Sequence, residues 1–196
     1  MKFHRLLALL GLVLLGFGCA ESASTQVVVL MDTDYETPVE VDRIRARVSK
    51  VLDTETGAEE RETWVQEFAV SEDPGGMSGV YSLPATFGIV PADGDVERDI
   101  VIELEALQSG TEQVLVSRRV KTGFMSGETR LIRMHLYRAC EALTCPSGES
   151  CCCADVASCA APSCIDEAIP AEDLEPSNDS GALPADAAMT TFDAGD

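Results

Sequence analysis

The sequence predicts an all-β protein: an antiparallel β-sandwich of about seven strands, then a small disulfide-rich loop module and a disordered acidic tail. Three observations carry this. From residue 26 to residue 137, apolar and polar residues alternate with period two in short runs separated by turn residues. Seven of the eight cysteines fall between Cys140 and Cys164. Beyond Arg138 the chain has no Lys or Arg, and the 196 residues carry a formal net charge of -20.

The chain begins with Lys2, His4 and Arg5, and an apolar run then extends over residues 6–18. That run has the length of an export-signal core and falls short of the ~20 residues a membrane-spanning helix needs. It ends Leu15-Gly16-Phe17-Gly18-Cys19, which resembles the bacterial lipobox with its leucine displaced to four residues before the cysteine. The resemblance implies that Cys19 carries palmitate-type acyl chains after removal of residues 1–18. The alternative is conventional cleavage near Gly18 or Ala20, which releases a soluble secreted or periplasmic protein. At ~0.8 kcal/mol per buried methylene, one chain anchors marginally and two or three hold stably. Residues 20–25 form a short tether, a reach of roughly 20 Å at full extension.

The sandwich is expected over residues 26–138. Val27 to Met31 are continuously apolar, as in a strand covered on both faces. Over residues 43–49, Ile44, Ala46 and Val48 point in while Arg43, Arg45 and Arg47 point out. Residues 63–70 follow, then 79–90 with a break at Pro84. Ile100, Ile102, Leu104 and Ala106 line one face of the next strand, with Glu103 and Glu105 opposite. Residues 113–120 come next, and finally 130–136, where Arg130, Ile132, Met134 and Leu136 share a face. Glycine-bearing connections make the last three strands look like consecutive hairpins. This pattern reads as an immunoglobulin-like sandwich in the broad sense. The segment Gly79-Val80-Tyr81-Ser82-Leu83-Pro84 also resembles the Gly-x-Tyr-x-Leu strand of carboxypeptidase-regulatory and transthyretin-like sandwiches.

Residues 139–166 read C-x4-C-x5-CCC-x5-C-x4-C and contain few large apolar side chains. Covalent staples must therefore order them. Adjacent cysteines seldom bridge each other, so Cys151, Cys152 and Cys153 should reach different partners. We pair Cys140 with Cys151 and Cys145 with Cys164, and leave Cys159 to take Cys152 or Cys153. With Cys19 lipidated the count is odd, and the remaining thiol is available for a covalent link to a second chain. A metal reading is weaker, because zinc favours C-x2-C knuckles; a thiolate cluster for copper(I) is the other metal alternative. Residues 167–196 are acidic and rich in Ala, Pro, Ser and Gly, a composition that does not repay ordering.

At this point the layout resembles a set of bacterial exported lipoproteins with a lipobox, a sandwich, and a cysteine module followed by an acidic tail. The matching positions are Cys140, Cys145, Gly148, Cys151 and Cys164. The resemblance implies architecture and envelope location, and no activity.

Removing the signal with Lys2 and Arg5 leaves 12 basic against 34 acidic residues, a net charge near -22. Such a surface excludes nucleic acid and electrostatic membrane docking. At 5% aromatic content, with Trp64 the sole tryptophan, a stacking platform has little to be built from. His135 is the one histidine of the mature chain, and no Gly-x-Ser-x-Gly elbow occurs, so no catalytic residues or cofactor are assigned. His135 reads as an ordinary strand histidine. Asp93, Asp95 and Asp99, with Asp32 and Asp34, could supply calcium ligands, although solvated turns explain them better. The Arg43, Arg45 and Arg47 stripe is expected to pair across strands with Glu103 and Glu105. The expected function is a lipid-anchored, non-catalytic envelope module that binds a protein or glycan. The alternatives are a disulfide-linked structural spacer or a calcium-binding secreted sandwich.

Overall fold

The computed structural model describes residues 24–52, 60–153, 159, 161–177 and 191–193. Cys19, the expected export signal and the rest of the tail lie outside them. The fold is all-β, with two five-stranded sheets packed face to face and a two-stranded disulfide-bearing hairpin beside them.

The strands in chain order are β1 (Gln26–Thr33), β2 (Val41–Val51), β3 (Glu60–Val70), β4 (Val80–Tyr81), β5 (Ala85–Val90), β6 (Ile100–Gln108), β7 (Val114–Thr122), β8 (Thr129–Leu136), β9 (Glu149–Cys153), β10 (Pro162–Asp166), β11 (Glu175–Pro176) and β12 (Thr191–Asp193). One sheet runs β11-β8-β1-β5-β12 and the other β4-β3-β2-β6-β7. Alternation places Val27, Val29 and Met31 of β1 opposite Ile44, Ala46 and Val48 of β2 across a single core. Phe87 anchors that core, with ring centroids 5.5 Å from Phe68 and 5.7 Å from Trp64. Three of the chain's few large rings are thus spent on packing. Pro84 marks the point where the chain leaves β4 in one sheet and enters β5 in the other.

Two expectations are corrected. The last three strands are not consecutive hairpins. β6 and β7 pair antiparallel, but β8 crosses to the other sheet and runs parallel to β1, with Val29 opposite Ile132. The connection at residues 123–128 is long enough to bridge the ~10 Å between packed sheets, and the crossing gives β1 a second partner. The sandwich is therefore mixed, not purely antiparallel. The acidic tail is also ordered further than its composition suggests. Leu174 is buried, Glu175 and Pro176 pair with β8, and the Ser177 N–H donates to the Thr129 carbonyl at 2.9 Å.

Short strands terminate both edges of the β1 sheet, and β4 terminates one edge of the other. Such endings limit edge-to-edge association. A proline at position 176 suits an edge, where one face of the backbone needs no donor.

Candidate functional site

The remaining edge, β7, carries the features that distinguish this sandwich from a plain one. The cysteine module is seated against it. Cys140 is bonded to Cys151 and Cys145 to Cys164, as the spacing suggested, and Cys159 takes Cys153. Cys140, Cys151 and Cys153 are buried and join the main core. Within the module, β9 and β10 pair antiparallel with Cys151 opposite Cys164. The Arg119 N–H donates to the Ser150 hydroxyl at 2.8 Å, and Arg119 Nε meets the Glu167 carboxylate at 3.1 Å. One step further, the Lys121 N–H donates to the Glu167 carbonyl at 2.7 Å and the Ile169 N–H to the Lys121 carbonyl at 2.9 Å. The segment after β10 thus runs beside the end of β7 as a short parallel partner.

Two grooves open along this seam. One, of about 570 Å³, lies at the pole where β1 and β8 begin. Phe124, Ile169 and Lys121 line it, together with the carboxylates of Asp99 and Glu172. Thr122 also lines it and keeps its hydroxyl buried without a hydrogen-bond partner among the described residues. The other groove, of about 310 Å³, lies at the opposite pole between the first half of β7 and the module. Val114, Ser117, Leu143, Glu141 and Glu149 line this one.

Beside the smaller groove, at the ends of β1 and β8, sits a polar cluster that the sequence reading did not find. The Arg138 guanidinium lies 4.8 Å above the Tyr35 ring and chelates Glu40 through both carboxylate oxygens, one at 2.6 Å. Its backbone N–H donates to Asp34 Oδ1 at 2.7 Å. The hydrogen bonds from Arg138 hold the Glu40 carboxyl below its usual range. Tyr35 is buried, and among the described residues its hydroxyl meets no partner at hydrogen-bond geometry, with the Glu141 carboxylate its nearest acidic neighbour. Burial, and then the Glu141 and Asp34 carboxylates, push its ionisation well above the usual tyrosine value. Arg138 and Glu40 lie 98 residues apart. The one available signal was that Arg138 is the last cation before a long acidic stretch.

The calcium candidates are not brought together. Asp95 pairs with Arg98 at 2.8 Å, and Asp99 approaches Lys121 at 3.8 Å. Asp93 lies in the 3-10 turn Ala92–Gly94. Asp34 is engaged by Arg138, while Asp32 accepts the Thr33 N–H and stands 3.5 Å from His135 Nδ1. Among the described residues no three His, Cys, Asp or Glu side chains are grouped to hold a metal.

No family model matches this chain, and no curated protein or solved structure matches it either.

Its own geometry must carry the reading. His135 stacks on Tyr137 with centroids 4.1 Å apart, and its Nε2 is buried with no hydrogen-bond partner among the described residues. The arginine stripe is spent within the protein. Arg45 contacts Glu105 at 3.2 Å, Glu67 at 2.7 Å and Glu112 at 2.7 Å. Arg47 reaches Glu105 at 3.4 Å, and Arg43 reaches Glu67 at 2.9 Å. Hydrogen bonds from Arg45, and then from Arg43, hold the Glu67 carboxyl below its usual range. Glu67 and Glu112 were not foreseen. The period-two pattern identified the outward face but not which strand or turn would lie next to it. Cys152, on β9, is partly buried and carries no bridge among the described residues.

Proposed function

We propose that this chain is an exported bacterial envelope lipoprotein, anchored through acyl chains on Cys19, whose sandwich serves as a non-catalytic binding module. Three disulfides support an oxidising compartment outside the cytoplasm. The observation that carries the binding reading is the seam, where a stapled module seated on β7 leaves two open grooves. Pockets between packed substructures are common ligand sites.

Ser24 and Thr25 already bond to the sandwich at the β8 start, through Thr129 Oγ1 and the Gly127 N–H. An anchor at Cys19 would therefore hold that pole close to the bilayer and leave the smaller groove facing away from it. Intact mass of the mature protein, before and after reduction, tests the anchor. Acyl chains on Cys19 and three bridges are expected; an unacylated mass overturns it. Saturable binding of the soluble mature chain to isolated envelopes is expected, and its absence overturns the binding reading. Turnover of ester or peptide substrates by the pure protein would overturn the non-catalytic one.

A second reading rests on Cys152, whose thiol has no intrachain bridge among the described residues. In that reading the protein is a covalent spacer, linked to another chain. A reducible dimer on gels, lost in Cys152→Ser, would favour it over the binding module.

A further inference from the structure

The module covers the β7 edge only in part. Arg119 and Lys121 turn their N–H groups away from β6, toward Ser150 and Glu167. Ser117 has the same parity on β7, opposite Glu105, and the ladder is regular between them. Its N–H and C=O therefore also point away from β6. Ser117 is exposed, and neither backbone group is hydrogen-bonded to a described residue. The unused stretch of edge forms one wall of the 310 Å³ groove, and the module forms the other.

We propose that this groove takes an extended, basic segment of a partner protein, which adds to β7 as a strand at Ser117. The inference rests on the binding-module reading and names its partner. Four observations support it. The same edge already accepts main-chain pairing, since residues 167 and 169 hydrogen-bond to both backbone groups of Lys121 in a single bridge. Main-chain pairing along an exposed edge is a general mode of peptide capture, with alternate side chains setting specificity. Val114 and Leu143 flank the opening with 39% and 37% of their surfaces exposed, offering contact for β-branched or aromatic side chains. Glu141 and Glu149 line the groove, while its one guanidinium, Arg119, is already paired with Glu167.

Charge decides the occupant. A second copy of this chain would bring another net charge of -20 to the edge and be repelled, whereas a lysine-rich strand would be drawn in. An acidic partner is excluded on the same ground.

The test uses the full mature chain and N-acetylated eight-residue peptides that alternate Lys with Val, Ile or Tyr. Counterparts carry Glu in place of Lys. At least one basic peptide should bind, weaken as salt rises, and slow amide exchange at Ser117 at least tenfold. Ser117→Pro removes the donor and should weaken binding at least tenfold. If that variant does not fold, Val114→Lys combined with Leu143→Lys should produce the same loss by repulsion. Failure of every basic peptide to bind overturns the inference, as does equal binding of the Glu series. Self-association through Ser117 would also overturn it. Peptide binding that survives the variants places the site elsewhere; envelope binding that persists alongside it leaves the module reading standing.

Discussion

The sandwich and the cysteine module solve the same problem in opposite ways. Residues 26–137 contain no cysteine and hold together by burial, with Phe87, Ile44, Ile102, Leu104 and Met134 all nearly inaccessible. Among the described residues of 140–166, only Cys140, Ser150, Cys151 and Cys153 are buried. Those cysteines join the sandwich core, and within the module the bridges do the work that larger side chains do in the sandwich. The two parts meet on β7, where neither would be complete alone. The sandwich has an open edge there, and the module has too little apolar surface to stand alone.

The sharpest way to break this contrast is from the sandwich side. Phe87→Ala removes a buried ring that touches both Trp64 and Phe68. It should cost about 3–5 kcal/mol, read from urea unfolding followed by Trp64 fluorescence. A loss below about 1 kcal/mol would show that burial is not what holds the sheets together.

From the module side, joint replacement of Cys145 and Cys164 by Ser opens a bridge that spans 19 residues. The expected loss is about 2–4 kcal/mol and is confined to the module. Protease should cut between residues 140 and 166 while the Trp64 signal still melts cooperatively.

A smaller effect is expected at the pole shared by β1 and β8. Tyr35→Phe deletes a buried hydroxyl that meets no described residue at hydrogen-bond geometry and faces the Glu141 carboxylate. It should be neutral or stabilising by about 1 kcal/mol, because an unsatisfied buried hydroxyl is a cost. The raised ionisation of Tyr35 has a second consequence. Its buried neutral form supports folding below the usual tyrosine value near 10, and that support declines as pH rises beyond it. The wild type should therefore lose more stability than Tyr35→Phe between about pH 9 and pH 11.

The smallest effect is expected on the outer charged face. Glu67 has a lowered carboxyl pKa, so its contribution is complete above the unfolded value near 4.3 and lost as pH falls through the lower folded value. Its side chain is 35% exposed, and solvent screening keeps the effect under about 1 kcal/mol. Glu67→Gln should narrow the gap in urea midpoint between pH 7 and pH 3, and little else.

Much of the sandwich was legible because period-two alternation is a local signal. Ile44, Ala46 and Val48 face inward as read, and six of the seven expected strands form close to their expected bounds, while the one expected over residues 79–90 divides at Pro84 into β4 and β5 of different sheets. Sheet membership was not legible at β8, because alternation says which face is buried and nothing about which strand lies alongside. Ile132 and Met134 would be buried equally well in a hairpin with β7 or beside β1. The ordering of residues 167–177 was hidden for a related reason. Average composition marks the segment as acidic and small, yet Leu174 alone finds a buried seat and Pro176 fits an edge. The grooves and the Tyr35, Glu40 and Arg138 cluster depend on contacts between distant parts of the chain, and no local pattern announces those. The cysteine pairing was partly legible, because the triple cysteine limits which partners each sulfur can reach.

The most direct test of the two-part account is amide exchange with and without a reductant on the full chain. Reduction should release protection across residues 140–166 and at the Arg119 and Lys121 amides, whose partners are Ser150 and Glu167. The central amides of β1, β2 and β6 should remain protected. Simultaneous loss of protection throughout, or none at Arg119 and Lys121, would contradict it.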